Sequence, residues 1–442
     1  MYSFTTPLAE RLYEAVRALP IVDFHNHISV EELASDRRFR DITQLWLEAD
    51  PYKHRAMRML GVGERYITGD AAPYEKFEAW CGVFPELTGN PLQIWSQMEL
   101  RMVFEVDTAI CKENAGEIWN KVNSLLARPE YSAQNILKKF PVAYQAPCLA
   151  VDGDERVFAG SGAVPSLRVD GLFADLKGLC ERCFGQPKTF AQLSSALNSR
   201  LGRLEEMGCK VCDISLDGGW QYCCADGGEE ERFAALLEGA PVDKAMLDCD
   251  VLRLLAALCA KRGWTVLLHT GAQRQTSTRL RTVAGPAGGY AAIGATSVES
   301  ITAFLDELEK ARALPRTVLF AMDSAVFDRL AVLCGSFNRE GHRGYVQLGP
   351  AWWWCDHMGG MVQVLESVMH YGCLSTFIGM TTDSRSLLSF SRHDYFRRVL
   401  CNWLGEKVRS GELAADETAL TALAKKLCYE NAAEYLGLAV EA

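Results

Sequence analysis

The spacing of hydrophobic residues divides the chain into two parts that meet near residue 142. In the first part, residues 29–137 carry apolar positions at helical spacing, broken by proline and glycine, without a convincing strand pattern. In the second part, short apolar runs alternate with helical segments, a pattern typical of βαβ units around a parallel sheet. The pattern therefore predicts an α/β fold that carries a mainly helical insertion at 29–137, after its first strand.

Eight apolar runs are candidates for strands of this sheet. They cover residues 21–22, 143–151, 164–168, 210–216, 265–269, 317–322, 345–352 and 375–380. Helical spacing recurs between them, for example at 298–312, and further helices are predicted at 8–19 and 418–436. Eight strands separated by helices are the count of a (β/α)8 TIM barrel, and such barrels accept large insertions. We therefore expect one domain over residues 1–442.

The composition of the 442 residues fits a folded protein, with 49% hydrophobic and 23% charged side chains. The net charge of -10, from 46 Lys and Arg against 56 Asp and Glu, is spread without a basic patch, which argues against nucleic acid as a partner. The sequence has no secretory segment and no apolar run that approaches a membrane span. Its 16 cysteines fit a reducing compartment, so we expect a cytoplasmic protein with no membrane partner.

Two of the eight histidines, His25 and His27, stand at the end of the first predicted strand. Side chains at i and i+2 of an extended segment lie on the same face, so both imidazoles can reach one divalent ion. Asp383 follows the last predicted strand, and the carboxyl ends of barrel strands meet at one mouth. Two imidazoles and a carboxylate suit zinc or manganese. The alternatives are an ordinary polar strand end and, for Asp383, a cap on the following helix.

Further polar and aromatic side chains stand at the ends of other predicted strands, where the barrel rule places them at the same mouth. They are Arg168, Asp213, His269, Trp352 with its neighbours Trp353 and Trp354, and Arg385. Each has a structural alternative: a hydrogen-bonded core histidine, ion-paired surface arginines, or core tryptophans. The functional interpretation gains weight because one geometry brings all of these groups together.

Two Cys-x-x-Cys pairs, Cys180 with Cys183 and Cys209 with Cys212, have the spacing of a structural zinc ribbon. A ribbon would make the chain a binding module rather than an enzyme. The first pair lies in a predicted helix and the second in a predicted strand, whereas a zinc knuckle needs a tight turn. The context therefore disfavours the ribbon.

Seven blocks of the sequence, in order along nearly the whole chain, resemble the uronate (glucuronate) isomerases of the amidohydrolase superfamily. The blocks are DFHNH at 23–27, WLEADPYKHRAMR at 46–58, NPL at 90–92 with EL at 99–100, LHTGA at 268–272, WWWCD at 352–356, TDSRS at 382–386 and RHDYFRR at 392–398. The resemblance implies a distorted (β/α)8 barrel with one divalent metal. It also implies a homo-oligomer that converts D-glucuronate to D-fructuronate, or D-galacturonate to D-tagaturonate.

Carried over position by position, the resemblance also assigns site residues. The metal ligands are His25, His27 and Asp383; the catalytic residues are Tyr52, Asp213, His269 and Asp383; the substrate-binding residues are Arg168, Trp352 and Arg385. Such an intramolecular oxidoreductase, an aldose–ketose isomerase, moves a proton from C2 to C1 through an enediol. The planar fork of arginine suits the carboxylate of a sugar acid. Zinc is the expected metal, with manganese as the alternative.

The chain departs from the family pattern at several positions. Histidines usual in the family are absent at Pro51, Gln97 and Ile214, and the family's Asn-Asp-x-Lys pattern reads CDHM at 355–358. The loss at Pro51 leaves open which sugar acid is accepted. Two other interpretations therefore stay open: a hydrolase of the same superfamily, in which the metal activates water, and a catalytically inactive relative that retains the fold.

Overall fold

The structure of the protein is a computed structural model that describes residues 3–285 and 289–439. Parallel strands form a curved sheet in the order β1-β2-β3-β4-β5-β7-β8, and β6 pairs with β5 in the antiparallel direction. The strands are β1 (Ile21–Asn26), β2 (Val142–Ala150), β3 (Ser166–Arg168), β4 (Val211–Asp217), β5 (Thr265–Arg274), β6 (Ala291–Ile293), β7 (Arg316–Ala321) and β8 (Val346–Leu348). The predicted α/β class is confirmed.

Helices fill the chain before, between and after the strands. In the described residues they are α1 (Pro7–Val16), α2 (Val30–Ala34), α3 (Ile42–Trp46), α4 (Pro51–Met59), α5 (Pro73–Val83), α6 (Pro91–Phe104), α7 (Ala115–Leu126), α8 (Ala133–Leu137), α9 (Asp170–Arg182), α10 (Phe190–Glu206), α11 (Glu229–Glu238), α12 (Lys244–Arg262), α13 (Thr278–Ala284), α14 (Val298–Lys310), α15 (Phe327–Cys334), α16 (Met358–Tyr371), α17 (Ser391–Arg409), α18 (Glu417–Lys425) and α19 (Asn431–Tyr435), with a π-helical turn at Lys426–Glu430. Seven of them, α2 to α8, lie between β1 and β2. That stretch contains the predicted insertion at 29–137, whose status as a separate unit within one domain stays a prediction.

The barrel is closed by an irregular segment after β8, where an eighth parallel strand was expected. The predicted strand at 375–380 is wrong, because Gly379 has φ +90° and lies against the backbone of Leu427, a conformation that interrupts an extended strand. Closure comes a few residues later, where Asp383 N donates to His25 O at 3.1 Å and His27 N donates to Ser384 O at 2.8 Å. The expected barrel is therefore present in distorted form.

Alternate residues of the strands face different apolar clusters. On β5, Leu267 belongs to the smaller cluster inside the barrel, whereas its neighbour Val266 belongs to the larger cluster beneath the helices. Side chains two residues apart share a face, so His269 follows Leu267 on the inner face. On β4 the same rule places Asp213 after Val211, another member of the inner cluster. The pleat of the strands thus carries both polar side chains to the mouth of the barrel.

A buried hydrogen-bond network around Asp23 fixes the closing segment to β1. The carboxylate accepts hydrogen bonds from Thr381 Oγ1 at 2.9 Å, from Thr382 N at 2.7 Å and from Asn26 Nδ2 at 2.8 Å. His393 Nε2, on α17, lies 3.3 Å from the same carboxylate. Burial would raise the pKa of Asp23, but His393 and the hydrogen bonds hold it below its ordinary value.

Within residues 3–285 and 289–439, no helix combines the length and apolar composition needed to cross a membrane.

We expect Asp23→Asn to destabilise the fold by about 2–4 kcal/mol, because an amide cannot accept all of these hydrogen bonds without leaving buried donors unpaired. The loss should be present at neutral pH. It should fade as the pH falls through the folded pKa of Asp23, since a depressed carboxyl pKa stabilises the fold only above that value. Denaturant unfolding at neutral and acidic pH measures both effects.

The matched control is Asp306→Asn, which removes a half-exposed ion pair with Lys310 on α14. Such surface pairs contribute up to about 1 kcal/mol. Equal unfolding midpoints for the two variants at neutral pH would contradict the role given to Asp23.

Candidate functional site

The three predicted metal ligands meet at the point of barrel closure. Asp383 Oδ1 lies 3.1 Å from His25 Nε2 and 3.1 Å from His27 Nε2. Ligand atoms bound to one zinc at about 2.0–2.2 Å lie about 3 Å apart, so Asp383 Oδ1 has a suitable separation from each histidine nitrogen taken singly. Asp383 has φ +48°, a left-handed conformation that is uncommon outside glycine and that the closing hydrogen bonds maintain.

The charges around Asp383 favour its ionised form. Burial would raise its pKa, but contacts with His25 and His27 hold it well below the ordinary value. A carboxylate that stays ionised and lies between two imidazoles is a suitable ligand for a divalent cation. The same low pKa makes Asp383 a weak base by itself.

A thiol that the sequence interpretation missed, Cys148, lies next to these ligands. Its Sγ is 3.6 Å from His25 Nδ1 and 3.5 Å from Asp213 Oδ2. One ligand atom each from His25, His27 and Cys148 lie within 4.8 Å of one another, so these three side chains also form a group that could hold a metal. Burial would raise the pKa of the thiol, but the two imidazoles lower it to about 7. The strand pattern at 143–151 placed the residue at a strand, and nothing in that pattern marked it as polar chemistry.

A buried layer of charge lies below the ligands. Asp213 is fully buried and pairs with Nη1 of Arg168, while His269 Nδ1 lies 2.7 Å from Asp213 Oδ1. The latter is a close contact without the angle of a good hydrogen bond. Burial would raise the pKa of Asp213, but Arg168, His25 and His269 hold it well below its ordinary value. Asp213 therefore carries a negative charge at the floor of the site.

His269 is held as a neutral imidazole. Burial lowers its pKa to about 4 despite the nearby charge of Asp213. Its ring stacks on Phe320 at 4.4 Å and meets the edge of Trp352 at 4.5 Å, measured between ring centroids. Its Nε2 is buried without a hydrogen-bond partner among the described residues, and one ligand atom each from His25, Asp213 and His269 also lie within 4.8 Å of one another. His269 is thus a second candidate position for binding an ion.

A cavity with about 800 Å³ of empty space, partly open to solvent, lies above this layer. Six of the sequence-predicted site residues line it, namely His27, Tyr52, Arg168, Trp352, Asp383 and Arg385. The other three, His25, Asp213 and His269, are fully or almost fully buried and do not line it. The structure therefore brings the predicted set together in two layers.

The two predicted carboxylate-binding arginines differ in their availability. Arg168 uses Nε and Nη2 on Asp170 and Nη1 on Asp213, so most of its fork is already occupied. Arg385 is exposed at the cavity wall and makes no salt bridge or side-chain hydrogen bond within the described part of the chain. Arg385 is therefore the more available cation for a ligand carboxylate.

The N-terminus of α4 brings Tyr52 to the cavity. Asp50 caps this helix by accepting hydrogen bonds from Tyr52 N at 2.9 Å and Lys53 N at 3.1 Å, and Pro51 occupies its first position. Lys53 Nζ is buried and contacts Asp50 at 2.5 Å and Glu99 at 3.3 Å. These ion pairs attach α4 to α6, and they fix the direction of the tyrosine.

The phenol of Tyr52 is directed at a second buried acid, Asp356, which the sequence interpretation did not assign to the site. Tyr52 Oη donates to Asp356 Oδ2 at 3.3 Å, and Arg392 Nη1 donates to the same oxygen at 2.7 Å. Burial and the charge of Asp356 raise the pKa of Tyr52 well above its ordinary value, so the phenol stays protonated at neutral pH. Burial raises the pKa of Asp356 to about 7, although Arg392 opposes the shift.

The hairpin of β5 and β6 adds cavity residues that sequence analysis missed: Arg274, Gln275 and Tyr290. Arg274 lies over the ring of Trp353, with its guanidinium carbon 5.1 Å from the ring centroid. Its side chain also donates to Ser215 Oγ at 2.7 Å. The predicted strand at 265–269 ended before these residues, and their place over the mouth depends on the antiparallel return of the chain.

Of the three positions where a family histidine is absent, only one borders the cavity. Pro51 lines it, next to Tyr52. Gln97 lies on α6 in a different surface depression, and Ile214 is a fully buried apolar residue of β4. A change in the site itself is therefore expected at Pro51 alone.

The zinc-ribbon alternative gains no support from the described residues. Cys180, Cys209 and Cys212 are buried and Cys183 is exposed, and none of them belongs to a group of side chains close enough to share an ion. Burial raises the pKa of Cys209 to about 12, so this thiol stays protonated in the apolar core.

Comparison with known proteins identifies close relatives. A family model described as glucuronate isomerase matches residues 1–148 and 172–436. The uronate isomerase of Geobacillus thermodenitrificans (strain NG80-2) is 36% identical over 455 residues, covering 97% of this chain and 97% of that protein. The crystal structure of the uronate isomerase from Thermotoga maritima superposes with a TM-score of 0.89 at 26% identity, covering 98% of each chain.

The fold likeness extends, at a lower level, to a candidate metal-dependent hydrolase from Lactobacillus casei. That crystal structure superposes with a TM-score of 0.54 at 13% identity, covering 96% of this chain and 97% of the other. The likeness concerns the fold alone. The ligand groups around His25 are, by themselves, candidates for holding a divalent metal at the mouth of the barrel.

We expect His27→Ala to abolish metal retention. After loading with zinc and removal of free metal, the unaltered protein should keep about one equivalent, and the variant should keep less than a tenth of that, because the ion loses a direct ligand. Metal analysis of the desalted protein measures the ratio. His342→Ala, an exposed histidine outside the cavity, is the control and should bind as the unaltered protein does. Equal metal content in His27→Ala and the control would refute the ligand assignment.

Proposed function

The chain belongs to the glucuronate isomerase family, and we propose that its cavity interconverts the aldose and ketose forms of a hexuronate. The reactions are D-glucuronate to D-fructuronate, D-galacturonate to D-tagaturonate, or both. One observation carries the proposal: an unpaired guanidinium, a phenol and two candidate metal ligands line the same cavity. A hexuronate offers a carboxylate and hydroxyl groups to this set.

The metal would be held by His25, His27 and Asp383, because the carboxylate oxygen of Asp383 lies 3.1 Å from Nε2 of each histidine. We propose zinc, because two imidazoles suit it and because the neighbouring thiol of Cys148 is a soft donor, unlike the oxygen ligands that manganese prefers. When bound, the ion would supply positive charge that stabilises developing negative charge on substrate oxygens.

The carboxylate of the substrate would bind to Arg385, because this arginine has its whole donor fork available. Arg168 would contribute mainly by holding Asp213 in place, since its own donors face Asp170 and Asp213. Trp352 would form an apolar wall for the sugar carbons, next to the ring of His269.

The reaction needs a group that exchanges protons with the substrate oxygens while the C2 proton moves to C1. Tyr52 suits this role because it lines the cavity and, with its raised pKa, still carries its proton at neutral pH. Asp213 and His269 lie below the cavity wall, and we propose that they orient His25 and the floor of the site. The depressed pKa of Asp213 makes it a poor base.

The two alternatives, a hydrolase and an inactive relative, have no specific support in the cavity. A hydrolase would need no uncommitted cation for a carboxylate, whereas Arg385 is one. An inactive relative would have no need to keep His27, Tyr52, Asp383 and Arg385 on one cavity wall. The homo-oligomer and the cytoplasmic location stay predictions.

We expect the metal-loaded protein to form ketose from D-glucuronate, from D-galacturonate, or from both. A colorimetric ketose assay, with D-glucose as the control that lacks the carboxylate, measures this. Conversion of the uronates without conversion of D-glucose would support the proposal. Absence of ketose from both acids, in protein that holds its metal, would contradict it.

We expect Arg385→Lys to raise KM for the uronate by about 10²-fold, because an ammonium group cannot form the two parallel hydrogen bonds of a guanidinium. Initial rates over a range of substrate concentrations separate KM from kcat. The control is Arg329→Lys on α15, an exposed residue paired with Glu299. An unchanged KM in Arg385→Lys would assign the carboxylate to another cation.

A further inference from the structure

Asp356 lies behind Tyr52, on the side away from the substrate cavity. Tyr52 lines both this cavity and a second depression, whereas Asp356 lines only the second one. The carboxyl group is almost fully buried and accepts a hydrogen bond from Tyr52 Oη at 3.3 Å. A substrate in the cavity can therefore contact Tyr52, whereas Asp356 does not line the cavity and is in contact with Tyr52.

Tyr52 needs a partner if it is to exchange protons during turnover. Its aromatic neighbours are Trp354, at 5.2 Å, and Trp95, at 5.8 Å between ring centroids. Arg392, a cation that lies near the phenol, cannot give up a proton at any relevant pH. Among the described residues, the polar side chain in hydrogen-bond contact with Tyr52 Oη that can both accept and release a proton is Asp356.

We propose that Asp356 is the proton partner of Tyr52, so that the pair moves one proton back and forth between the two substrate oxygens during isomerisation. The proposal rests on the proposed function. Asp356 does not line the cavity, so it acts through Tyr52, with which it exchanges the proton.

The protons bound to oxygen balance within Tyr52, Asp356 and the substrate. As the C2 proton leaves, Tyr52 Oη gives its proton to the aldehyde oxygen O1, and the Oδ2 proton of Asp356 passes to Tyr52 Oη. As the ketone forms at C2, the O2 hydroxyl proton returns through Tyr52 to Asp356. The phenol and the carboxylic acid end in their starting forms, and a separate base moves the carbon-bound proton.

The charged groups around Asp356 suit an acid that exchanges a proton near neutral pH. Arg392 contacts it and favours the carboxylate, whereas the charges of Asp383 and Asp50 and burial itself favour the neutral acid. The opposing influences leave the pKa of Asp356 raised to about 7. Arg392 also lies 4.9 Å from the ring centroid of Tyr52, where it holds the two partners side by side.

A purely structural cluster of the same composition exists elsewhere in the chain and provides the matched control. Tyr13 Oη donates to Asp394 Oδ1 at 2.5 Å, and Arg398 Nε donates to Asp394 Oδ2 at 2.8 Å. This cluster joins α1 to α17, and none of its three residues lines the substrate cavity. Asp394→Asn thus removes the same chemical group without touching the proposed relay.

The experiment compares Asp356→Asn with Asp394→Asn in the metal-loaded protein, using the uronate that the unaltered protein converts. The amide keeps the size of the side chain but cannot carry a proton. We expect kcat of Asp356→Asn to fall about 10²-fold, the usual contribution of one proton-transfer group, with KM little changed. The control should keep its kcat. In the unaltered protein kcat should fall as the pH rises through the ionisation of Asp356, and this fall should be absent from Asp356→Asn.

A second variant keeps the test decisive even if Asp356→Asn folds poorly. Tyr52→Phe should lose the same neutral-pH fall, and the double variant should be no slower than Tyr52→Phe, because residues of one relay do not act additively. Additive losses, an unchanged pH profile in either variant, or an unchanged kcat in Asp356→Asn would overturn the relay. No conversion by the unaltered protein would refute the proposed function instead.

Discussion

The closure of the barrel at residues 381–384 is the constraint on which the rest of the site depends. The apolar run at 375–380 forms no regular strand, because the backbone of Gly379 interrupts it. The chain that follows is attached to β1 by the hydrogen bonds of Asp23 and by two backbone hydrogen bonds. This irregular closure gives Asp383 its left-handed backbone and places its carboxylate 3.1 Å from both histidines. The proposed ligand set thus depends on the distortion of the barrel.

Buried ion pairs hold the other side chains of the site in position. An isolated buried charge is costly, whereas one with an opposite charge and hydrogen bonds is tolerated. Arg168 pairs with Asp213 at the floor of the site, and Lys53 pairs with Asp50 and Glu99 behind Tyr52. Each network attaches a functional side chain to more than one element. Because Arg168 and Lys53 are already paired, Arg385 is the cation available to bind the carboxylate of a ligand.

The sequence predicted the barrel because strand and helix periodicities are local, and it predicted His25 and His27 because an i, i+2 pair needs only an extended backbone. It failed at 375–380, where an apolar run looks like a strand but a glycine conformation and the contact with Leu427 decide otherwise. It also missed Cys148 and Arg274, whose roles depend on neighbours far away in sequence. Asp356 lies inside the WWWCD block at 352–356, yet its burial beside Tyr52 is a tertiary property.

The central claim is that one ion, held at the closure of the barrel, is required for isomerisation of a hexuronate. The most direct measurement is a titration of the metal-free protein with zinc, following bound zinc and ketose formation from the converted uronate in the same samples. The account predicts that both rise together and that activity reaches its plateau at about one equivalent, the stoichiometry of a single ligand set. Full activity in the metal-free protein, or a plateau reached only at two equivalents, would contradict it.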